Sequence, residues 1–434
     1  MQHAAISRTA PTGRPHPRPP YRASAFWRML PAGMRRRWWL FRIFDLIARH
    51  WPVVGRRKGL LVVRMDGIGD MVLFRRALDH YAEVFGVAPQ DITVLGCASW
   101  AGIAGPIFGP LRVIAIDEHA FARRPLYRFR TALKVRLLAP AIAVCDSYFR
   151  RALMADSLVW FAAAPRSVVS LPYVNEPTRA EFTYFLSQID ELIDTGGYPT
   201  HEIERHYRFL SAVAGREIRP EPPAISWPER PSPVPAGAPY LVLNAGSNEP
   251  GRRWPFSAYC RLAERALEAG FRVVLIGSQA ERPTAYEFDR LVQRPGTIDL
   301  MGRTSLADVM DVMKHAAAVL SNDTGPAHLS IALGVPTVVI VGGGHFGSFV
   351  PYPETVRPPT ARFVHHAVNC YHCFWRCPLR ATKNDSFPCV AGVKEEAVWQ
   401  ALVDLVPAFA QPCAPSPAVP ALATHGPPVR VPTP

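Results

Sequence analysis

A short turn, Asp323 to His328, follows an apolar segment that has the pattern of a buried parallel strand. The helix that this turn opens leads to a second apolar segment of the same kind. Pro326 suits the first position of a helix, because its missing N–H costs nothing there. A helix that begins at this turn directs free N–H groups and the positive end of its dipole beyond the strand, which predicts a phosphate site. Thr324 and Gly325 would add hydroxyl and amide donors. An ordinary capped helix without a ligand is the alternative.

A loop further upstream, residues 244–255, also follows an apolar segment and contains Ser247, Arg252 and Arg253. Serine supplies a short hydroxyl donor, and arginine supplies a permanent charge with paired N–H groups that suit a diphosphate. The loop therefore indicates a second set of phosphate ligands. A solvated basic loop is the alternative.

Residues 64–70, Arg-Met-Asp-Gly-Ile-Gly-Asp, directly follow the first buried apolar segment of the chain. Two glycines allow a tight turn and a close approach of a ligand to the backbone. The third glycine of a dinucleotide fingerprint is missing, so this is not a dinucleotide motif. Asp70 stands at the mouth of the strand and could remove a proton from an acceptor hydroxyl. Asp66 is the alternative base, and helix capping is the alternative role for Asp70.

These stretches lie in a chain where buried-strand and helical patterns alternate, which predicts an α/β fold with parallel sheets covered by helices. A Pro-dense stretch, 219–239, marks a linker between a first domain, 59–218, and a second, 240–406, with a cleft between them. Residues 175–200 are predicted as loop and helix. The predicted strands are 59–64, 92–95, 113–116, 142–145, 168–170, 240–244, 272–276, 297–300, 318–321 and 337–341. The predicted helices include 71–85, 202–214, 256–269, 283–292, 305–316 and 394–405.

The net charge of +14 is concentrated near the N-terminus, because residues 1–58 contain twelve arginines and Lys58 but a single acid, Asp45. Residues 1–23 are predicted to be disordered, and 24–51 to form basic amphipathic helices rich in tryptophan and phenylalanine. Arginine mixed with aromatic residues suits an anionic membrane surface. Nucleic acid is the competing partner, but no recognition motif accompanies the patch.

No apolar run is long enough to span a bilayer, and no signal peptide is recognised, so a reducing compartment is expected. Four of the eight cysteines cluster at 370–389 with the spacing Cys370-x2-Cys373-x3-Cys377-x11-Cys389. Four thiols could hold a structural Zn²⁺, or an iron–sulfur cluster, although this is not a standard zinc-ribbon spacing. Reduced thiols or a disulfide pair are the alternatives, and no catalytic role is expected. Residues 407–434 are predicted to be a disordered tail.

Together the three stretches resemble glycosyltransferase family 9, the ADP-heptose:lipopolysaccharide heptosyltransferase family, over about residues 59–405. The family's R-x-x-x-I-G-D motif is matched by Arg64, Ile68, Gly69 and Asp70. Its D-T-G-x-x-H motif is matched by Asp323, Thr324, Gly325 and His328. The sequence departs from the family after Val341, where a Gly-Pro-Ser/Thr turn is replaced by Gly342–Gly347, Gly-Gly-Gly-His-Phe-Gly.

The resemblance implies a GT-B fold, in which two Rossmann-like domains face each other across a cleft. It implies that Asp70 is the catalytic base and that the D-T-G-x-x-H residues bind a nucleotide-diphosphate sugar. Ser247 and Arg252 correspond to the family's hydroxyl and cation before Trp-Pro. Glu281 is the nearest match to a further acidic donor ligand.

The sequence thus predicts an inverting glycosyltransferase that uses ADP-heptose or another nucleotide-diphosphate sugar. The expected acceptor is a lipid-linked saccharide, met at the cytoplasmic face of the inner membrane through residues 24–58. No catalytic cofactor is expected, because no D-x-D metal motif is found and fixed cations can stabilise the leaving diphosphate. The alternatives are a sugar-nucleotide epimerase of the same fold, an inactive nucleotide-sugar-binding protein, or a nucleic-acid binder that uses the basic tail.

Overall fold

The computed structural model describes residues 21–411, so the predicted tail segments 1–20 and 412–434 lie outside the described residues. Within 21–411 the chain forms two six-stranded sheets in which every neighbouring pair of strands is parallel. The first sheet contains β1 Leu60–Arg64, β2 Ile92–Cys97, β3 Arg112–Ile116, β4 Ile142–Cys145, β5 Arg166–Ser170 and β6 Glu191–Ile193. The second contains β7 Tyr240–Asn244, β8 Arg272–Leu275, β9 Thr297–Asp299, β10 Ala318–Asn322, β11 Thr337–Val341 and β12 Ala361–His365.

Both sheets have the same topology. The strand orders are β3-β2-β1-β4-β5-β6 and β12-β11-β10-β7-β8-β9. In each sheet the first and fourth strands are neighbours, and the chain leaves them in opposite directions. Such a switch point opens a crevice at the carboxyl ends of the two strands, which is where ligands bind in open parallel sheets. The topology therefore marks two loop pairs, those after β1 and β4 and those after β7 and β10.

Helices cover the faces of both sheets and bury their apolar side chains against them. Those of the first half are α1 Ala25–Met29, α2 Arg36–His50, α3 Ile68–Arg75, α4 Tyr81–Phe85, α5 Ala101–Phe108, α6 Glu118–Arg123, α7 Pro125–Leu137, α8 Ala155–Ala162, α9 Arg179–Leu186 and α10 Glu202–Ala214. Those of the second half are α11 Phe256–Glu268, α12 Tyr286–Val292, α13 Leu306–Lys314, α14 Gly325–Ala332, α15 Pro388–Ala391 and α16 Glu395–Leu405.

The structure differs from the sequence-based elements chiefly in one helix and two edge strands. The predicted helix 71–85 begins earlier, at Ile68, and is interrupted by a 3₁₀ turn at Ala77–His80 before α4. Two edge strands, β6 and β12, were not predicted. β6 has three residues and lies where a loop and helix were expected, and β12 carries no continuous apolar run. A strand as short as β6, or one without an apolar run such as β12, gives no periodic hydrophobic pattern in the sequence.

The Pro-rich segment 219–239 contains no helix or strand, but it packs against the second domain. Trp227 is buried, and its indole N–H donates to Asp311 at 2.7 Å. The end of the described chain also packs, since Phe409 stacks on Phe271 with 4.0 Å between the ring centroids. The ordered body thus continues past the predicted start of the tail at residue 407.

The basic N-terminal segment forms α1 and α2, in agreement with the predicted helices. One face of α2 is buried against α7 and α8, and Asp45 on this face binds Arg128 of α7 at 2.8 Å. Both side chains of the pair are buried. Within the described residues, no helix combines the length and the apolarity that crossing a membrane requires. The segment is therefore part of the first domain and rests on its outer surface.

We expect Asp45→Ala to lower the free energy of unfolding by about 3–5 kcal/mol, because it leaves the Arg128 guanidinium buried without a counter-charge. Combining Asp45→Leu with Arg128→Met should recover much of this loss, since a buried ion pair can be exchanged for packed apolar groups. Urea unfolding measures both effects. Asp79→Ala, which removes a carboxylate that pairs with Arg75 at the surface, is the matched control and should change little.

Candidate active site

Asp70 lies in the first turn of α3, directly after the loop that leaves β1. Gly67 precedes the helix in an extended conformation, and its N–H donates to the Asp70 carboxylate at 3.1 Å. Burial raises the pKa of Asp70 to about 6, and the negative charge of Asp66 adds to the rise, while Arg64 and His328 oppose it. A carboxylate with such a pKa is a stronger base than an ordinary aspartate and is still ionised at neutral pH.

The loop that carries Asp70 is held by a buried ionic network at the switch point of the first sheet. Arg64 at the end of β1 binds Asp66 at 2.8 Å and Asp146, which follows β4, at 2.5 Å. Asp146 in turn binds His206 of α10 at 2.8 Å, and Ser147 donates to Asp66 at 2.7 Å. Asp66, the alternative base, is thus tied to a cation and a hydroxyl, whereas the Asp70 carboxylate receives one backbone bond.

In the second domain, the turn after β10 opens α14 as its sequence predicted, with Thr324 at the N-cap and Pro326 in the first turn. The Asn244 side chain at the end of β7 donates to Thr324 at 2.9 Å and so joins the two strands of the switch point. Asn322 holds the neighbouring loop in the same way, because its amide donates to the carbonyl of Ala245 at 2.8 Å. The N-terminus of α14 is therefore fixed beside the loop 245–252.

Asp323 contacts Arg252 and His328 and helps to hold this turn in place. Arg252 donates to its carboxylate at 2.9 Å and also to its backbone carbonyl. His328 lies 3.6 Å from the other carboxylate oxygen, and its Nδ1 is 2.7 Å from the Tyr352 hydroxyl. Although burial alone would raise the pKa of Asp323, Arg252 and His328 hold it at about 2. The carboxylate thus stays ionised and orients both basic side chains.

Arg252 and Ser247 retain polar atoms that could bind a ligand. Nε of Arg252 and the buried hydroxyl of Ser247 find no hydrogen-bond partner among residues 21–411. The guanidinium lies over the ring of Trp375, 4.6 Å from its centroid, and its side chain is 27% exposed. Arg253, its neighbour, donates instead to the carbonyl of Ser247 at 2.7 Å and supports the loop. The orphan donors lie on the loop predicted to bind a diphosphate.

Glu281 lies near the same loop, but part of its carboxylate has a local role. One oxygen accepts from the backbone N–H of Ser278 at 2.9 Å and from its hydroxyl at 2.7 Å, which caps a short 3₁₀ turn. The other oxygen lies against Gly246, where a Cβ would approach it to 2.5 Å. Glu281 therefore borders the loop 245–252 and forms no hydrogen bond or ion pair with Arg252 or Asp323.

The two halves of the site meet across the domain interface. A Cβ placed on Gly69 of α3 would lie 2.8 Å from Cδ2 of His328 in α14. One placed on Gly325 would lie 3.0 Å from Cβ of Ile68. The N-termini of the two helices thus pack on each other. The structure brings Asp70 of the first domain next to the residues predicted to bind the donor in the second.

We expect Gly69→Ala to lower kcat/KM by about 10²-fold, since a displacement of about 1 Å in a reacting group can have this effect. The His328 ring cannot move aside, because it is buried and bound to Tyr352. The two helices must therefore separate. Gly102→Ala in α5, where a Cβ meets nothing within 4 Å, is the matched control. Steady-state kinetics of both variants, with melting temperatures as a check on folding, measure the difference.

Several residues of the site were not predicted. Asp146 could have been found, because it directly follows a buried strand, and Asp66 stands two residues after another. His345 lies in the turn after β11, and burial followed by the charge of Arg252 lowers its pKa to about 4. Trp375 covers Arg252 from the loop with the clustered cysteines, more than forty residues after the last predicted donor-binding residue, His328, so no local sequence signal links it to the donor site.

The loop with the clustered cysteines packs on the turn after β11. Gly343 donates its N–H to the Cys389 sulfur at 3.3 Å, and Trp375 and Tyr371 lie against the glycines of this turn. Among residues 21–411, no three histidine, cysteine or acidic side chains are grouped so that they could hold a metal ion. The side-chain positions therefore do not support the predicted zinc site. It stays a prediction that metal analysis of the purified protein decides. The cysteines concerned are Cys370, Cys373, Cys377 and Cys389.

Comparison with known proteins gives one family model, curated relatives and solved structures of similar fold. The family model of glycosyltransferase family 9 (heptosyltransferase) matches residues 188–374. Lipooligosaccharide heptosyltransferase 2 of Haemophilus influenzae is 26% identical over 164 residues, which cover 37% of this chain and 42% of the relative. The solved ADP-heptose lps heptosyltransferase II of Escherichia coli is 17% identical and has a TM-score of 0.55. The match covers 81% of this chain and 98% of the E. coli chain. A family 9 glycosyl transferase of Veillonella parvula is 16% identical, with coverages of 82% and 99% and a TM-score of 0.61.

These findings confirm the resemblance to glycosyltransferase family 9 and the α/β fold of GT-B type. The match to the curated relative spans less than half of that protein's length, and at these identities the solved structures show the fold alone. The matched range 188–374 contains the donor-side residues and begins after Asp70. The donor-side residues within it are Ser247, Arg252, Glu281, Asp323, Thr324, Gly325 and His328.

Proposed function

We propose that this chain, which is related to glycosyltransferase family 9, transfers a sugar from a nucleotide-diphosphate sugar to a lipid-linked saccharide of the cell envelope. The observation that carries the proposal is the contact between Gly69 and His328. It places a carboxylate of raised pKa on one domain beside a helix N-terminus and an arginine on the other. A base next to an anion site is the arrangement that glycosyl transfer to a hydroxyl requires.

In this reaction Asp70 accepts the proton of the acceptor hydroxyl as its oxygen attacks the anomeric carbon of the donor. The bond between this carbon and the diphosphate oxygen breaks on the opposite side, so the configuration inverts. The proton stays on Asp70 until solvent removes it, and the diphosphate leaves with the bonding electron pair. One carboxylate is sufficient, because the leaving group needs no proton when fixed positive groups stabilise it.

The second domain supplies these positive groups. Nε of Arg252 and the hydroxyl of Ser247 have no hydrogen-bond partner among the described residues and can donate to a ligand. The N-terminus of α14 offers the N–H of Gly325 and the positive end of the helix dipole. Thr324 can donate its hydroxyl in the same region. Asp323 orients Arg252 and His328, since it contacts both. These residues would hold the diphosphate without a divalent metal, and we propose that no catalytic cofactor is needed.

The names of the relatives favour ADP-heptose as donor and a lipopolysaccharide core as acceptor. The curated relative is named a lipooligosaccharide heptosyltransferase, and the E. coli structure is named an ADP-heptose lps heptosyltransferase. Glu281 would contact the nucleoside part of the donor from the edge of the loop 245–252. Because the acceptor is lipid-linked, we place the chain at the cytoplasmic face of the inner membrane.

A thermal-shift screen with ADP, GDP, UDP, CMP and dTDP sugars tests the donor assignment. A ligand that binds only the folded protein raises the melting temperature. At a ligand concentration of one hundred times Kd, the free energy of unfolding increases by about 2.7 kcal/mol. We expect ADP-heptose to give the largest shift. Transfer of labelled sugar from this donor to a heptose-deficient lipopolysaccharide core then tests the reaction. Absence of a shift with every nucleotide sugar would contradict the proposal.

A further inference from the structure

We propose that the outward face of α2, together with α1, is a surface that docks on an anionic lipid bilayer. The outward face consists of apolar side chains at helical spacing that remain between 42% and 70% exposed. They are Leu40, Ile43, Phe44, Ile47 and Trp51. These positions recur at intervals of three and four residues, so they form one stripe along the helix. Helix α2 is thus apolar on two sides, one packed on the domain and one open.

Helix α1 adds further exposed apolar side chains to this segment. Phe26, Met29 and Leu30 are 72%, 65% and 60% exposed. Arg42 of α2 donates to the backbone carbonyl of Met29 at 2.6 Å and so joins the end of α1 to the middle of α2. Single exposed apolar side chains are ordinary on a protein surface, but a row of them along one helix, with more on the helix joined to it, marks an interaction site.

The charges around the stripe point to an anionic partner. Arg22, Arg36, Arg37 and Arg56 are exposed and make no ion pair within the part of the chain that the structure describes. The one acid among residues 21–58, Asp45, faces inward and is bound to Arg128. An apolar stripe with aromatic residues and unpaired arginines fits the boundary between headgroups and acyl chains of an anionic membrane.

Two other occupants fit less well. Residues 1–20 carry three arginines, no acid, and only Met1 and Ile6 as large apolar residues, so their composition does not complement an apolar stripe flanked by arginines. A second copy of the chain would bring the same unpaired arginines towards one another, and like charges oppose such pairing. An anionic bilayer satisfies both the apolar side chains and the arginines.

Docking through this surface would also orient the candidate active site relative to the membrane, an inference that rests on the proposed function. Arg35, between α1 and α2, forms an ion pair with Glu181 in the first turn of α9. This turn follows the carboxyl end of β5, and Asp70 follows the carboxyl end of β1 in the same sheet. Docking would therefore bring the edge of the sheet that carries Asp70 towards the lipid surface from which a lipid-linked acceptor comes.

Co-sedimentation with vesicles tests the surface on the full chain, without donor or acceptor. We expect binding to vesicles of phosphatidylglycerol and phosphatidylcholine, and much weaker binding to phosphatidylcholine alone. Ile43→Glu combined with Ile47→Glu should lower the partition coefficient by at least about tenfold, because two apolar side chains are lost from the interface. Arg36→Glu combined with Arg37→Glu should weaken binding in low salt and have less effect in high salt. Tyr286→Glu in the second domain, at a side chain 73% exposed, is the matched control.

Two results would overturn the proposal. The first is equal binding of the wild-type chain and the double isoleucine variant to anionic vesicles. The second is a concentration-dependent dimer in light scattering that the isoleucine variant abolishes, with no vesicle binding by the wild type. Melting temperatures report whether the variants fold, and the arginine variant provides an independent check. Shifts caused by nucleotide sugars should be the same in all variants, so failure of docking is distinguishable from failure of the donor assignment.

Discussion

Asp70→Asn is expected to lower the rate of sugar transfer by about 10³-fold and to leave the affinity for the donor unchanged. Asparagine can still accept the hydrogen bond from Gly67, which is 3.1 Å from the carboxylate, so the start of α3 should keep its shape. What the variant lacks is a group that can take the proton of the acceptor hydroxyl. Single-turnover transfer assays measure the loss, and titration calorimetry with the nucleotide diphosphate measures the retained affinity.

The pH dependence of the wild-type enzyme follows from the same carboxylate. The base acts in its ionised form, and the pKa of Asp70 is about 6. We therefore expect kcat/KM to rise about tenfold per pH unit below pH 6 and to level off above it. Asp66→Asn removes a negative charge that helps to raise the pKa of Asp70, so it should move this limb to lower pH.

The variants of Asp66 and Asp79 serve as controls for the assignment of the base. If Asp66→Asn abolishes transfer at every pH and Asp70→Asn does not, the roles of the two residues are reversed. Asp79→Asn removes a surface carboxylate that pairs with Arg75 and should leave both rate and profile unchanged. Loss of donor affinity in Asp70→Asn would mean that the carboxylate holds the loop in place and is not the base.

The sequence was informative where a motif and a strand end coincide. A buried apolar run followed by glycine and aspartate predicted the loop after β1, and Pro326 after a second run predicted the start of α14. Both loops lie at a switch point of a parallel sheet, so the general rule for such sheets brings them to the crevice. The position of each predicted loop at the crevice of its own domain can therefore be derived from the local sequence pattern and the sheet topology.

The contacts between distant segments could not be derived in this way. Nothing in the sequence indicates that Trp375 lies over Arg252, or that His206 of α10 reaches Asp146. Glu281 was placed by analogy, and its capping of Ser278 follows from a short 3₁₀ turn that has no periodic pattern. Burial of the Arg64 network depends on how the helices pack, and packing of this kind is decided by the whole domain.

Arg252→Ala is expected to weaken binding of the nucleoside diphosphate by about 10²-fold, because charge-assisted hydrogen bonds to phosphate are lost from a partly buried site. Arg252→Lys should recover part of the affinity, since it restores the charge but not the two-pronged geometry. Arg294→Ala, at an exposed arginine of the same domain, is the matched control. Titration calorimetry with the diphosphate and the monophosphate of the same nucleoside measures each variant.

The comparison of the two nucleotides separates a direct contact from an indirect one. Arg252 also holds Asp323, whose pKa of about 2 depends on it, so its removal disturbs the turn that opens α14. If Arg252 binds the diphosphate itself, the loss should be much larger for the nucleoside diphosphate than for the monophosphate, which lacks the second phosphate. An equal loss for the two would mean that Arg252 acts through Asp323 and the shape of the turn. The leaving group would then depend on Ser247, Thr324 and the N-terminus of α14.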